Sequence, residues 1–280
     1  MKEKTKKRVR PGQIILLILT AVLALLFLYP VLFALMSAFK SNGDILKNPI
    51  SPPTSFYIQN FRDLFAQSDF ASAILHSVFL TVVSEILIVC IVPMAAYGIE
   101  RRKNRFTALT YTFFLSGMMI PFHLYMFPLF KEMKLFHIFG NMAGPIICYI
   151  SGSIAFGCLL YCSFLKGIPL EIEEAAMIDG CSPVQTYFHV VFPMLRPTAV
   201  TVAILNAMWI WNDYLLPSLI LPQEKGTIPM VIQNLKGGYG SIDMGAMMAM
   251  LVLAIVPIII FYLSCQKYII KGVAAGAVKG

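Results

Sequence analysis

The sequence predicts an all-α membrane protein with six transmembrane helices and a cytoplasmic helical hairpin between the fourth and fifth spans. Hydrophobic residues make up 58% of the 280 residues and charged residues only 13%, about half the roughly 25% of soluble domains. Such a chain cannot cover its apolar groups with a polar shell, so we expect lipid to be its solvent. Six long apolar stretches support the same conclusion.

Each of these stretches reaches the length of about 20 apolar residues that a bilayer core of about 30 Å requires. The first is too long for a signal-peptide core and no small-residue cleavage site follows it, so we expect it to be retained. The spans form one transmembrane domain over 14–266, between a basic N-terminus (1–13) and a tail (267–280). The predicted spans are 14–36, 73–99, 106–130, 142–165, 198–221 and 244–266.

The distribution of basic residues predicts the orientation. Fifteen of the 22 Lys and Arg residues lie in the N-terminus, the 99–105 loop, the 166–197 loop and the tail, and seven lie in the other loops. Cytoplasmic loops carry such an excess, so we expect a multi-pass protein of the cell membrane with both termini in the cytoplasm. The net charge of +8 is thereby a topology signal, and nucleic acid is not an expected partner.

The loop between spans four and five reads "IPLEIEEAAMIDGCSPVQ", with four acidic residues within nine positions. Pro169 suits the first position of a helix of about 11 residues, and Gly180 can end that helix with a positive φ. Ser182-Pro183-Val184-Gln185 has the pattern of a capping box. We expect this box to open a second helix that stops before Pro193. The loop therefore predicts a short helical hairpin.

Two roles for this hairpin are open from the residues alone. It can cap the inner surface of the bundle, or it can dock on another protein. Ile172, Ala175, Ala176 and Asp179 share one face of the first helix, and the two alanines would let another surface approach closely. A helix this short is marginal without tertiary support, so in either role we expect it to pack on something.

The spacing of the loop resembles a known signature. Glu174-Ala175-Ala176, then Gly180, then Val190-Val191-Phe192-Pro193 is similar to the EAA---G---------I-LP pattern of ABC importer membrane subunits, with Val190 and Phe192 as mild hydrophobic replacements. The chain further resembles the carbohydrate-uptake, maltose-transporter-like permeases. That likeness is carried by "AAYGIERRKNRF", "MMIPFHLYMFPLFKEMKLF", "WNDYLLPSL" and "GVAAGAVKG".

The resemblance implies a permease that forms half of a translocation pathway for a sugar. Its implied partners are a second permease with which it forms a heterodimer, a dimer of cytoplasmic ATPase subunits, and an extracytoplasmic solute-binding protein. The loop (168–193) would be the coupling helix that inserts into the ATPase. The implied coupling residues are Glu173, Glu174, Ala175, Ala176, Asp179, Gly180, Ser182, Pro183 and Pro193.

The chain has no phosphate loop of its own, because no Gly-x-x-x-x-Gly-Lys-[Ser/Thr] occurs in it. We therefore expect no cofactor in this chain, with ATP and magnesium on the partner ATPase. We also expect no enzymatic activity, because no His, Asp or Ser residues converge at one depth. The six cysteines and four histidines lack metal-ligand spacing, so no metal site is expected. An ion- or proton-coupled secondary transporter is the alternative.

Two groups of polar residues lie inside the predicted spans. Glu85 falls near the middle of span two, where a charge is costly. It can be a pathway or subunit-contact carboxylate, or a protonated or locally paired structural acid. Trp211, Asn212 and Asp213 lie in the outer half of span five. They can contact a carbohydrate, or they can form an aromatic belt with Asp213 pairing between subunits.

Overall fold

The computed structural model describes residues 11–67, 69–236 and 243–277, and every regular element within these ranges is helical. Most of the predicted basic N-terminus lies outside the described residues. The α-helices, in chain order, are α1 (Pro11–Ala38), α2 (Asn42–Lys47), α3 (Gln59–Gln67), α4 (Phe70–Arg101), α5 (Arg105–Gly117), α6 (Phe122–Leu135), α7 (Ala143–Leu165), α8 (Leu170–Ile178), α9 (Pro183–Thr186), α10 (Phe192–Met194), α11 (Arg196–Asn212), α12 (Leu215–Ile220), α13 (Ile228–Lys236) and α14 (Met244–Ala277).

Four of these helices are long and apolar enough to cross a membrane: α1, α4, α7 and α14. Two bent helix pairs bring the number to six if each pair is counted as one span. The helix α14 continues through Ala277, so the predicted tail begins inside a helix. The all-α membrane fold is confirmed, with four to six candidate spans.

The third predicted span, 106–130, is not a single straight helix. Its two halves, α5 and α6, meet at an angle of 105° across residues 118–121. Pro121 caps α6 with φ −61° and ψ 137°. A proline has no N–H to continue a helix, and it biases the residue before it away from helical geometry. The bend lies at this proline, and the region remains one candidate span as a bent helix pair.

The fifth predicted span, 198–221, also differs from the structure. The helix α11 already begins at Arg196 and ends at Asn212, and Asp213 is extended, with φ −74° and ψ 123°. The short helix α12 follows. The bent apolar pair in this region is 183–194 with α11, joined at 71°. The apolar stretch thus starts in the loop that precedes the predicted span.

The chain divides into two compact units, and the larger one contains residues 69–234 and 257–280. Its core lies between α4 and α7, where Ile88 and Val92 of one helix and Tyr161 of the other are fully buried. Gly157 is required at this contact, because a Cβ there would collide with the Val92 side chain. Small residues let membrane helices approach closely. The helix α11 adds buried apolar residues such as Val202 to the same core.

The smaller unit contains residues 1–68 and 235–256. Its centre is Asn60, whose side-chain amide donates to the carbonyls of Ala38 and Lys40 at 2.8 Å each. The Asn42 side chain accepts a hydrogen bond from the Met244 N–H at 2.8 Å and so caps the start of α14. These polar contacts hold the described ends of α1, α3 and α14 together. Most of α1 exposes its apolar side chains, as a lipid- or subunit-facing helix does.

Candidate functional site

The predicted hairpin is present as α8 and α9. The sequence suggested Pro169 for the first helical position of α8. In the structure Pro169 is the N-cap, with ψ 138°, and the helix begins one residue later. Gly180 ends the helix with φ +93°, and the Cys181 N–H donates to the Ala176 carbonyl at 3.0 Å. A left-handed glycine with such a bond is a common helix stop. The predicted helix stop at Gly180 is confirmed, although α8 is 9 residues long and not about 11.

The predicted capping box at the start of α9 is also present. The Gln185 side chain accepts from the Ser182 N–H at 2.8 Å, and the Ser182 hydroxyl accepts from the Gln185 N–H at 3.4 Å. Pro183 takes the first turn, where its missing N–H costs nothing. Ser182 and Pro183 are exposed, so they fix the start of α9 while remaining accessible to a partner.

The second helix of the hairpin does not stop before Pro193, as the sequence suggested. Residues 187–191 form one π-helical turn, in which the Phe192 N–H donates to the Tyr187 carbonyl. Pro193 then lies inside α10 and is half-buried. A π turn adds one residue to the helix, and this changes which carbonyl faces the proline ring. The chain can therefore continue helically through Pro193 towards α11.

Glu173 attaches the hairpin to the bundle. Its Oε1 atom lies 2.7 Å from Nε and from Nη2 of Arg101, and its Oε2 atom accepts from the Tyr97 hydroxyl at 2.8 Å. Arg101 also donates to the Ile168 carbonyl at 3.1 Å. Glu173 is only 2% exposed. A buried carboxylate with all these bonds is an internal anchor, and its side chain does not face outward with the other predicted coupling residues.

The opposite face of the hairpin is exposed. Glu174, Ala175, Asp179 and Gly180 are exposed, and Ala176 is half-buried. Sequence reasoning missed the apolar side chains beside them, although their hydrophobicity within a polar loop is a signal of contact. Ile178 is 86% exposed, and large exposed apolar side chains grouped in one loop suit a contact with another protein. The other large apolar residues of the loop that are exposed are Leu170, Ile172, Met177, Val184 and Phe188.

The four predicted pathway residues do not form one cluster. Glu85 and Trp211 line the same cavity of about 520 Å³ between α4, α11 and α14. Asn212 donates back to the Met208 carbonyl at 2.7 Å. Asp213 accepts from the Tyr149 hydroxyl at 2.9 Å and from the Leu215 N–H at 3.0 Å. Asp213 therefore joins α7 to the start of α12, inside this chain.

The carboxyl group of Glu85 is enclosed, and neither oxygen has a hydrogen-bond partner among the described residues. The Thr81 hydroxyl, one turn away on the same cavity, has none either. The other lining residues are mainly apolar. The expectation that Glu85 faces the interior of the bundle or water agrees with this position. Among the described residues there is no group of three or more His, Cys, Asp or Glu residues that could hold a metal ion.

Comparisons with known proteins identify the family. The family described as binding-protein-dependent transport system inner membrane component matches residues 88–275. The chain belongs to this family. It is 35% identical to a probable starch degradation products transport system permease protein of Thermoanaerobacterium thermosulfurigenes, over 98% of this chain and 99% of that one. It is 34% identical to a multiple sugar-binding transport system permease protein of Streptococcus mutans, over 94% and 95% of the two chains.

The fold agrees with this assignment. The chain superposes with a TM-score of 0.82 and 21% identity on a chain of a bacterial ABC transporter that imports the acidic polysaccharide alginate. The superposition covers 95% of this chain and 99% of the other. The protein is a permease of the carbohydrate-uptake ABC transporters, a multi-pass membrane protein and a non-enzymatic transport component. The comparisons support this function over a secondary transporter, and they imply ABC transporter partners in general.

Proposed function

We propose that this permease forms half of the pathway for a sugar delivered by an extracytoplasmic binding protein, and that the hairpin of α8 and α9 couples it to an ATPase dimer. The second half would come from another permease, in a heterodimer. The names of the similar permeases refer to starch degradation products and multiple sugars, which supports a sugar or oligosaccharide as the substrate. Both termini would lie in the cytoplasm.

The observation that carries the coupling proposal is the two-sided construction of α8. Its inner side is fastened to the end of α4 by the Glu173–Arg101 ion pair. Its outer side presents Glu174, Ala175 and the exposed Ile178. The apolar Ile178 side chain can be buried in a cleft on a partner, and the small Ala175 side chain lets the partner approach closely. A displacement of the hairpin would then be transmitted to α4 through the ion pair.

The helix α4 can carry this displacement across the bundle. It has 32 residues, which corresponds to a length of about 48 Å, and it forms the core with α7 and α11. ATP and magnesium would bind on the ATPase, which supplies the chemical step. The permease would alternate between two states that the ATPase biases. Gly180 and the Ser182 cap would keep the hairpin rigid enough to transmit force.

The cavity beside Glu85 and Trp211 supports a contribution to the pathway. A carboxyl group can bind sugar hydroxyls, and an indole ring can pack against the apolar face of a sugar. Asn212 and Asp213 do not line this cavity, and their side chains bond within the chain. We therefore place the pathway contact at Glu85 and Trp211, with Asn212 and Asp213 supporting the helix break beside it. Sugar uptake by Glu85→Gln tests this assignment, and normal uptake with normal assembly would contradict it.

Copurification of the ATPase tests the coupling proposal. Ile178→Asp places a charge among the exposed apolar side chains of the loop, so we expect the ATPase to be lost from the purified complex and ATP-driven uptake to fail. Phe56→Asp is the matched control, because Phe56 is 76% exposed on a predicted outer loop. Retention of the ATPase and of uptake in Ile178→Asp would refute the proposal.

A further inference from the structure

A second group of charged side chains lies at the end of α4. Glu100, in its last turn, and Lys103, two residues after it, line a cavity of about 690 Å³ that is also lined by residues of α5 and by Lys166 after α7. The cavity belongs to the larger unit. Three of its lining residues are cations, Lys103, Arg105 and Lys166, and one is an anion, Glu100. Its net charge is therefore positive.

The charges of this cavity are only partly satisfied within the chain. Lys103 lies 3.9 Å from Glu100, at the outer limit of an ion pair. Within the ranges that the structure describes, no carboxylate lies within ion-pair distance of Arg105 or Lys166. The start of α5 is already capped, because the Asn104 side chain accepts from the Thr107 N–H at 2.9 Å. An incoming anion would thus meet the two free cations and not the helix amides.

An apolar stripe on α5 begins beside the cavity. Phe106, Leu109 and Phe113 are spaced by three and four residues, so they share one helix face, and they are 69–75% exposed. A cluster of cations next to such a stripe has the arrangement of a bilayer interface, with charge at headgroup depth and apolar side chains below it. Basic pockets between membrane helices bind anionic lipid headgroups.

We propose that this cavity binds the headgroup of an anionic phospholipid, with an acyl chain along the Phe106–Phe113 stripe. Arg105 and Lys166 would contact the phosphate, and Lys103 would be held near it by Glu100. A soluble phosphate could neutralise the cations, but it has no apolar part to pack on the Phe106–Phe113 stripe. A phospholipid has both parts, so the lipid is favoured. Each cation near a lipid phosphate is expected to favour the anionic lipid by about fivefold. With a net two cations, the preference over phosphatidylcholine should be about 25-fold at low salt.

Photocrosslinking in vesicles tests this proposal. The assembled transporter is reconstituted in equal amounts of phosphatidylglycerol and phosphatidylcholine, with p-benzoylphenylalanine in place of Tyr111, which lines the cavity. Mass spectrometry then gives the ratio of the two lipid adducts on this subunit. We expect phosphatidylglycerol to be favoured more than fivefold at position 111. With the crosslinker in place of Phe127, a 66% exposed residue of α6 that does not line the cavity, we expect a ratio of about one.

The controls separate the headgroup from general attraction. The triple variant Lys103→Gln, Arg105→Gln, Lys166→Gln should lower the ratio at position 111 to about one. A matched triple on the predicted outer loops, Lys47→Gln, Lys131→Gln, Lys134→Gln, should leave it unchanged. An equal ratio of the two lipid adducts at position 111, without the cation substitutions, would overturn the proposal. Adducts with protein when the crosslinker replaces Phe113 would also overturn it. So would a preference at position 111 that is lost in inorganic phosphate but kept in sodium chloride of equal ionic strength.

Discussion

Removal of the Arg101 side chain should release the hairpin from the bundle. In Arg101→Met, the Glu173 carboxylate keeps only its bond to Tyr97, and the Ile168 carbonyl loses its donor. Removing one partner of a buried pair costs about 3–5 kcal/mol. The side chains are 16% and 3% exposed, so screening is small, and the remaining Tyr97 bond favours the lower value. We expect α8 to lose about 3 kcal/mol.

Hydrogen–deuterium exchange of the α8 amides measures this loss directly. A change of about 3 kcal/mol corresponds to about a 150-fold fall in protection. Glu173→Gln is the milder comparison, because the amide can still bond to Tyr97. The α8 amides should therefore lose less protection in this variant than in Arg101→Met. The pair Arg101→Met with Glu173→Met should recover part of the stability, because no unpaired charge remains.

The same variants separate attachment from docking. If the ion pair transmits the motion of the ATPase, Arg101→Met should retain the bound ATPase and its hydrolysis while sugar uptake falls. Unchanged protection of residues 170–178 would refute the structural reasoning. Unchanged uptake with reduced protection would refute only the role of this ion pair in transmission.

Three further predictions follow from single positions. Gly180→Ala should destabilise the hairpin by about 1–2 kcal/mol, because φ is +93° there, and exchange of the loop amides would show it; equal protection would contradict it. Gly157→Ala should lower the free energy of unfolding in detergent by about 1–3 kcal/mol through overpacking, and Val92→Ala in the same chain should restore part of that loss. An unaltered unfolding midpoint in Gly157→Ala would disprove the close contact. Tyr149→Phe should lower the free energy of unfolding by about 1–2 kcal/mol, because it removes a hydrogen bond to the Asp213 carboxylate. Asp213→Asn should lower it less. Unfolding in mixed micelles measures both, and the reverse order would be inconsistent with this contact.

The features of the hairpin that the sequence predicts correctly are local. The Gly180 stop depends on one backbone angle, and the Ser182 cap depends on a residue three positions later, so both can be inferred from spacing. The function of Glu173 cannot be inferred in this way. Its partners Tyr97 and Arg101 are 76 and 72 positions away, and only the packing of α8 on α4 brings them together.

The angles at the helix breaks could not be predicted, because hydrophobicity does not report the direction of a helix. Residues 106–130 are apolar enough for one span, and the bend at Pro121 depends on where α6 finds its packing partners. Residues 187–191 carry no residue type that predicts a π turn. For Asp213, its place in the outer half of a span left two roles open, a carbohydrate contact or pairing between subunits. The Tyr149 hydroxyl, 64 positions earlier in the chain, engages it within this subunit.

The protection of Ile178 in the assembled transporter tests the coupling proposal most directly. Ile178→Cys, in a chain with Cys181→Ser, can be labelled with a water-soluble maleimide in the permease pair alone and in the complex with the ATPase. We predict rapid labelling in the pair, strong protection in the complex, and no difference for the control Phe56→Cys. Equal labelling of Ile178→Cys in both preparations, with the ATPase bound and uptake active, would contradict the proposal that this hairpin is the contact with the ATPase.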